Sequence, residues 1–305
     1  MSAPILRVED LTKHFGGIHA VDDVTFDVPR GSITSLIGPN GAGKTTVFNL
    51  ATGLYEKTSG KIWFDAERDG SVDLTEPVFD PMHATVVSAV SAGLGLVALA
   101  IPAARRKLYY RYRTPDSMAR LGIARTFQNI RLFSDLSVVD NVKVGLHARV
   151  SSTALDSALT SRRHRREERE IEAAAMRYLE FVGLEDRAPE AASDLPYGDQ
   201  RQLEIARALA TRPTLLLLDE PGAGMNPTET NDLIALIGKT RDAGVTVFLI
   251  EHDMRLVMDV SDKVVVLDHG RKIADGAPAE VRANPEVIAA YLGVANDEEA
   301  PDASA

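Results

Sequence analysis

The sequence predicts an α/β protein organised around a parallel sheet, and three observations predict it. Short all-apolar runs such as Leu215-Leu-Leu-Leu218 alternate with stretches of helical period through residues 199–267. Such runs suit strands buried on both faces of a parallel sheet. A glycine-rich loop, 38–43, lies between an apolar run (32–37) and a helical stretch (44–53), which is the strand–loop–helix order of an α/β unit. The N-terminal residues 5–28 instead alternate apolar and polar side chains, as in Val24-Thr-Phe-Asp-Val28, the period of strands with one solvated face.

Taken in order, 5–28 give strands, 32–37 a buried strand, 44–53 a helix and 61–65 a further strand. Residues 116–122 form a short helix, followed by the apolar step 123–127. From 138 to 182 the period is helical. The run Arg162-Arg-His-Arg-Arg-Glu-Glu-Arg-Glu170 lies inside it, and its glutamates beside its arginines make it a solvated helix face rather than a nucleic-acid or lipid patch. Helix 199–210, strand 215–218, helix 228–242, strand 245–250, helix 254–260 and strand 263–267 complete the pattern. The stretch 295–305 is acidic and rich in small residues, and reads as a disordered tail.

Of 305 residues, 45% are hydrophobic and 26% charged, enough to bury a sizeable core. The net charge of −10 argues against a general nucleic-acid binder. Without cysteine, no disulfide, thiolate metal site or thiol nucleophile can form. Residues 1–9 lack a basic and an apolar secretory region, so a cytosolic location is expected.

Gly38-Pro39-Asn40-Gly41-Ala42-Gly43-Lys44-Thr45 fits G-x-x-x-x-G-K-[ST], with Thr46 following. The glycines let successive N–H groups point at phosphates, and the helix after them adds its positive end. Lys44 can reach the β- and γ-phosphates, and the Thr45 hydroxyl can bind Mg2+. The strand 215–218 runs into Asp219 and Glu220, suited to holding Mg2+ and to orienting or deprotonating water. His252, just beyond strand 245–250, is placed for a γ-phosphate contact, and Gln128, after the step 123–127, for the metal or the water.

In this order the elements resemble the ATP-binding domain of an ABC transporter. The stretch Leu195-Pro-Tyr-Gly-Asp-Gln200, with the helix after it, is similar to the family's signature. The resemblance implies a mixed sheet core, an N-terminal antiparallel β subdomain and a helical signature subdomain at about 135–212, all in one domain, 1–294. It assigns Gln128 to the Q-loop, His252 to the switch histidine and Phe15, in Lys13-His-Phe-Gly-Gly17, to stacking on adenine. It also implies a head-to-tail dimer in which Pro196, Tyr197, Gly198, Asp199 and Gln200 face the partner's ATP. Four stretches, 125–133, 219–227, 251–258 and 284–293, resemble the ATP-binding subunit of branched-chain amino acid importers. Three departures stand out. Pro196 occupies a position where serine is common, Asp199 follows Gly198 where glutamine is usual, and Asn226 replaces an aspartate in the following loop.

The resemblance covers 4–65 and 116–294 and leaves 66–115 as an insertion outside the family pattern. Inside it, 84–101 carries no charge, close to the roughly 20 residues of a membrane span. Arg105, Arg106, Lys107, Arg111 and Arg113 follow, mixed with tyrosines, like an interfacial anchor. A single crossing is excluded because Lys44 and Asp219, on either side, must meet at one nucleotide. What remains is a hairpin dipping into the membrane, a helix against a permease or a helix buried on the ATPase itself, and the segment is expected to be a helix lying against protein or the membrane surface.

The resemblance therefore implies an ATP- and Mg2+-dependent importer motor, peripheral on the cytoplasmic face of the membrane. Its partners would be a second ATPase subunit, permease subunits and, indirectly, a solute-binding protein, with no nucleic acid. The alternatives are a soluble family member acting in translation or DNA repair, and a nucleotide-binding scaffold without turnover.

Overall fold

A computed structural model describes residues 3–66, 70–76, 78–79, 110–111, 115–147 and 162–298. Strands β1 (Pro4–Phe15) and β2 (Ile18–Pro29) form a long hairpin. With β4 (Ser59–Ala66) and β5 (Gly70–Asp73) they make an antiparallel sheet in the order β2-β1-β4-β5. The alternation in the sequence sets its faces, since Val24, Phe26 and Val28 are buried while Thr25 is exposed.

The second sheet has the order β12-β11-β3-β10-β9-β8. Strands β3 (Ile33–Ile37), β8 (Ile123–Arg125), β9 (Leu215–Asp219), β10 (Thr246–Ile250) and β11 (Lys263–Asp268) run parallel, and β12 (Arg271–Gly276) is antiparallel at one edge. Every residue of β3, β9 and β10 is buried, as their unbroken apolar or small side chains require. Phe48 on α1 (Lys44–Ala51) joins the two sheets. Its ring lies 4.8 Å from Phe248 of β10, which lies 5.7 Å from Phe26 of β2.

After the short α2 (Pro115–Leu121), helices α3 (Val138–His147), α4 (Arg162–Val182) and α5 (Tyr197–Ala210) pack as a helical lobe around Val142, Ala175, Leu179, Leu203 and Ala206. Gly145 makes the α3–α5 contact possible, because a Cβ there would stand 2.3 Å from the Arg207 carbonyl oxygen. On α4, Arg166 and Glu170 pair at 2.8 Å on the exposed face, as expected of a solvated charge run. Helices α6 (Pro227–Asp242), α7 (Met254–Val260), α8 (Pro278–Arg282) and α9 (Pro285–Glu298) complete the chain.

Several expectations change. The helix expected at 199 begins at Tyr197, because Pro196 sets its start. Part of the stretch 66–115 is ordinary core: β5 pairs with β4, and Leu74 after it is buried in the same cluster as Phe64. Helix α9 runs to Glu298 and so includes the first residues of the expected tail. The apolar run 84–101 lies outside the described residues, as do 148–161 and 299–305. What is described on either side of 80–109 is an antiparallel ladder, β6 (Val78–Phe79) with β7 (Tyr110–Arg111), so the chain leaves and returns at one place.

Candidate nucleotide-binding site

The loop between β3 and α1 is built by left-handed glycines. Gly38, Gly41 and Gly43 have φ of 148°, 80° and 98°. A Cβ on Gly38 would meet the Leu267 carbonyl oxygen at 2.0 Å, and one on Gly43 the Ala20 carbonyl oxygen at 2.2 Å. The loop is thus wedged between the end of β11 and the β1–β2 hairpin, where only glycine fits. Gly43 caps α1 without a side chain and no acid occupies the first turn, so the helix's free N–H groups remain open to an anion.

Lys44 is buried and its Nζ donates to the carbonyl oxygens of Gly38 (2.6 Å) and Pro39 (2.9 Å). Burial pushes the Lys44 pKa down, while the Glu220 and Asp219 carboxylates pull it back up. The ammonium therefore sits desolvated, facing two acids, with its bonds made to the loop's own backbone. Thr45 is exposed beside it and Thr46 is half-buried.

β9 delivers the acids. Asp219 is buried, and its Oδ2 accepts from Arg125 Nη2 at 2.6 Å. The same guanidinium donates to Asn49 Oδ1 (2.7 Å) and Thr52 Oγ1 (3.0 Å) of α1 and its cap, and lies between the rings of Phe48 and Phe127. Glu220 adopts φ +46°, a left-handed conformation rare for a side chain of this size, held by its N–H bond to the Ile250 carbonyl (2.9 Å). Its Oε2 accepts from Gln128 Nε2 at 2.8 Å and stands 3.9 Å from His252 Nδ1. His252 is 58% exposed at its side chain, open to the site. Behind it, buried Glu251 accepts from the N–H groups of Gly222 (2.7 Å), His252 (3.0 Å) and Asp253 (3.4 Å). Burial raises the Glu251 pKa, and these bonds and the His252 charge oppose it.

The structure thus brings Lys44, Asp219, Glu220, Gln128 and His252 together. It adds four residues that the sequence reading did not single out: Arg125, Glu251, Arg201 and Glu204. Arg201 and Glu204 form a fully buried pair at 2.7 Å on α5. Arg201 also donates to the carbonyl oxygens of Phe127 and Gln128, both at 2.8 Å, and Glu204 Oε1 accepts from the Arg131 N–H at 3.3 Å. The helix that follows the signature therefore holds the backbone of the Gln128 loop.

The signature residues lie at the head of α5. Tyr197 donates its hydroxyl to the Ala223 carbonyl (3.0 Å) and Gly198 lies against Glu229 of α6, where a Cβ would stand 2.9 Å from Cγ. Asp199 pairs with Arg187 at 3.3 Å, and Gln200 Nε2 donates to the Leu195 carbonyl at 2.8 Å. Pro196 is the N-cap and offers no side-chain bond. Asn226 N-caps α6 in a capping box with Glu229, a role for which Asn and Asp are equally suited. Phe15, 42% exposed, is edge-on to Tyr55 at 5.3 Å with Lys13 Nζ over its ring at 4.7 Å, an open aromatic platform on the hairpin that also flanks Gly43.

The donors for a cation are all oxygen: the Thr45 hydroxyl, the Asp219 carboxylate and the Gln128 amide oxygen. Gln128 spends its amide nitrogen on Glu220, which leaves that oxygen for a metal. Hard oxygen donors of this kind fit Mg2+.

Comparison with known proteins gives a consistent picture. The family model described as "ABC transporter" matches residues 21–85 and 104–223, and that described as "Branched-chain amino acid ATP-binding cassette transporter" matches 271–297. The chain is 44% identical to the high-affinity branched-chain amino acid transport ATP-binding protein BraF of Pseudomonas aeruginosa and 40% identical to LivG of Escherichia coli, covering 97% of this chain and 100% of each relative. Among solved structures, the ADP conformation of an ATP-binding cassette of an ABC transporter superposes with a TM-score of 0.72 at 28% identity, covering 96% of this chain and 100% of that one. A nucleotide-free cassette from an ABC transporter gives 0.71 at 27%, covering 95% and 99%.

Proposed function

The chain belongs to the ABC transporter ATP-binding family, and from that premise we propose that it is the ATPase motor subunit of an importer for branched-chain or related amino acids. The observation that carries the catalytic part is the convergence of Gln128 and His252 on Glu220, next to the desolvated Lys44.

On ATP binding, the phosphates take the N–H groups of the loop and the α1 N-terminus, and Lys44 exchanges its bonds to Gly38 and Pro39 for phosphate oxygens. Thr45, Asp219 and Gln128 would hold Mg2+, which supplies charge neutralisation on the phosphates. Glu220, aimed by Gln128, positions and deprotonates the attacking water, and His252 meets the γ-phosphate. Arg125 neutralises the buried Asp219 carboxylate, which would be one of the oxygen donors to the cation. A second copy or a paralogue would present its signature to complete each site.

The amino-acid substrate rests on the relatives named for it and on the match at 271–297. Docking to a permease is supported by a groove of about 460 Å3 lined by Leu54, Met118, Phe127, Phe133 and Val144, with Phe133 50% exposed. It lies beside the Gln128 loop, so a helix seated there would sense that loop. Among the described residues no helix is long and apolar enough to cross a membrane, and attachment through a permease on the cytoplasmic face would serve instead. A soluble role in translation or DNA repair gains nothing from relatives that are named for transport.

Glu220→Gln tests the assignment. ATP binding should persist and turnover should fall by about 10²–10⁴, the usual contribution of a positioned general base. Phosphate release at the wild-type rate from the assembled transporter would remove Glu220 from the mechanism.

A further inference from the structure

We propose that His14, His19 and Asp22, at the turn of the β1–β2 hairpin, bind a divalent transition-metal ion of the kind imidazole favours, Zn2+ foremost, separately from the nucleotide's cation. The two histidines are cross-strand partners and so share one face of the hairpin. Their rings stack with centroids 3.8 Å apart and planes at 27°. A ring nitrogen offers its lone pair in the ring plane, so the two rings must turn out of this stack for both lone pairs to converge on one ion.

One ligand atom from each of His14, His19 and Asp22 lies within 4.8 Å of the other two. Nitrogens about 2.1 Å from a tetrahedral ion stand roughly 3.4 Å apart. Side-chain torsions therefore need to close at most about 1.4 Å and to turn the rings toward the ion. His14 Nε2 is buried and has no hydrogen-bond partner among the described residues, an unsatisfied group that an ion would satisfy.

The third ligand is already supported. Arg271 donates Nε (2.9 Å) and Nη2 (2.7 Å), both to Asp22 Oδ2, which leaves Oδ1 for the ion. The Asp22 N–H is tied to the Gly270 carbonyl at 2.8 Å, which fixes the carboxylate's base. A hydrogen-bonded ligating carboxylate is the usual outer-shell arrangement of a metal site. Two imidazoles and one carboxylate select Zn2+ or its neighbours over Mg2+ and leave a fourth position for water.

Phe15, the next residue along the chain from His14, lies on the opposite face with Lys13 and Tyr55. An ion would pin the two strands directly behind that platform and tighten the hairpin that carries it. This consequence rests on reading Phe15 as the adenine platform; the ion site does not.

The test is calorimetric titration of the metal-stripped full chain with Zn2+ at neutral pH, without nucleotide. One equivalent should bind more tightly than any other, and His14→Gln, His19→Gln and Asp22→Asn should each weaken it at least about tenfold, in line with the sensitivity of metal sites to lost ligand-sphere groups. His19 is exposed, so His19→Gln keeps the fold, and His19→Asp, which restores a ligand, should recover part of the affinity. His252→Ala should leave the tight equivalent intact. Equal Zn2+ affinity in wild type and His19→Gln, or loss of the tight equivalent in His252→Ala, would overturn the proposal.

Discussion

Lys44 shows how one residue is held ready for its ligand. Its ammonium is buried and donates to the carbonyls of its own loop, and burial lowers its pKa. A base with a lowered folded pKa binds fewer protons in the folded state between that pKa and 10.5, so stability rises with pH across that window, and at neutral pH the charge opposes folding. Lys44→Met should therefore leave the nucleotide-free fold no less stable than wild type at neutral pH. Wild type should gain about 2.7 kcal/mol at a hundredfold excess of ATP over its Kd, and the variant nothing. Thermal melts with and without ATP check both halves; a nucleotide shift retained in the variant would contradict the role given to Lys44. The residue was legible because motif spacing fixes it, and Asp219 and Glu220 because they end an apolar strand and are read together with that loop. Arg125 was not, because the pattern around it reads only as an apolar step, and its partners Asn49, Thr52 and Asp219 are distant in sequence and meet only through the sheet order.

At the scale of elements, the helical lobe and the catalytic loop are joined by α5. Arg201 and Glu204, an i,i+3 pair with side chains 0% and 2% exposed, hold the backbone from Phe127 to Arg131. Arg201→Met removes one charge and leaves Glu204 buried and uncompensated, and breaking such pairs costs about 3–5 kcal/mol. Chemical denaturation should show a loss of that size; a loss under about 1 kcal/mol would mean the pair is not what anchors the loop. The sequence could not assign this role, because an Arg and a Glu on a helix read equally as a solvated pair, as Arg166 and Glu170 are. The mostly apolar strands β3, β9 and β10 were legible for the opposite reason, since two buried faces leave few polar positions. Edge strands β5 and β12 were missed because one side of each has no partner, so polar residues such as Ser71, Asp73, Arg271 and Lys272 are tolerated.

The whole molecule places the proposed nucleotide half-site where three units meet: the antiparallel sheet brings the proposed platform Phe15 and the wall behind Gly43, the parallel sheet brings Lys44, Asp219 and Glu220, and the helical lobe holds Gln128. Alternation and the motifs at 38–45 and 215–220 revealed the two sheets and the helical period the lobe, while Phe15 and the signature came only from the resemblance to a family. The described residues on either side of 80–109 meet in one ladder, Val78–Phe79 with Tyr110–Arg111. The central claim is that this frame drives amino-acid import, and one measurement addresses it directly. The tagged chain is purified with its membrane partners, placed in liposomes, and uptake of radiolabelled leucine is followed in the presence of the solute-binding protein. Uptake should require ATP, stop in Glu220→Gln, and be competed by isoleucine and valine. An isolated complex that hydrolyses ATP but moves none of the three, or a chain that purifies with ribosomes or DNA and without a permease, would contradict the account.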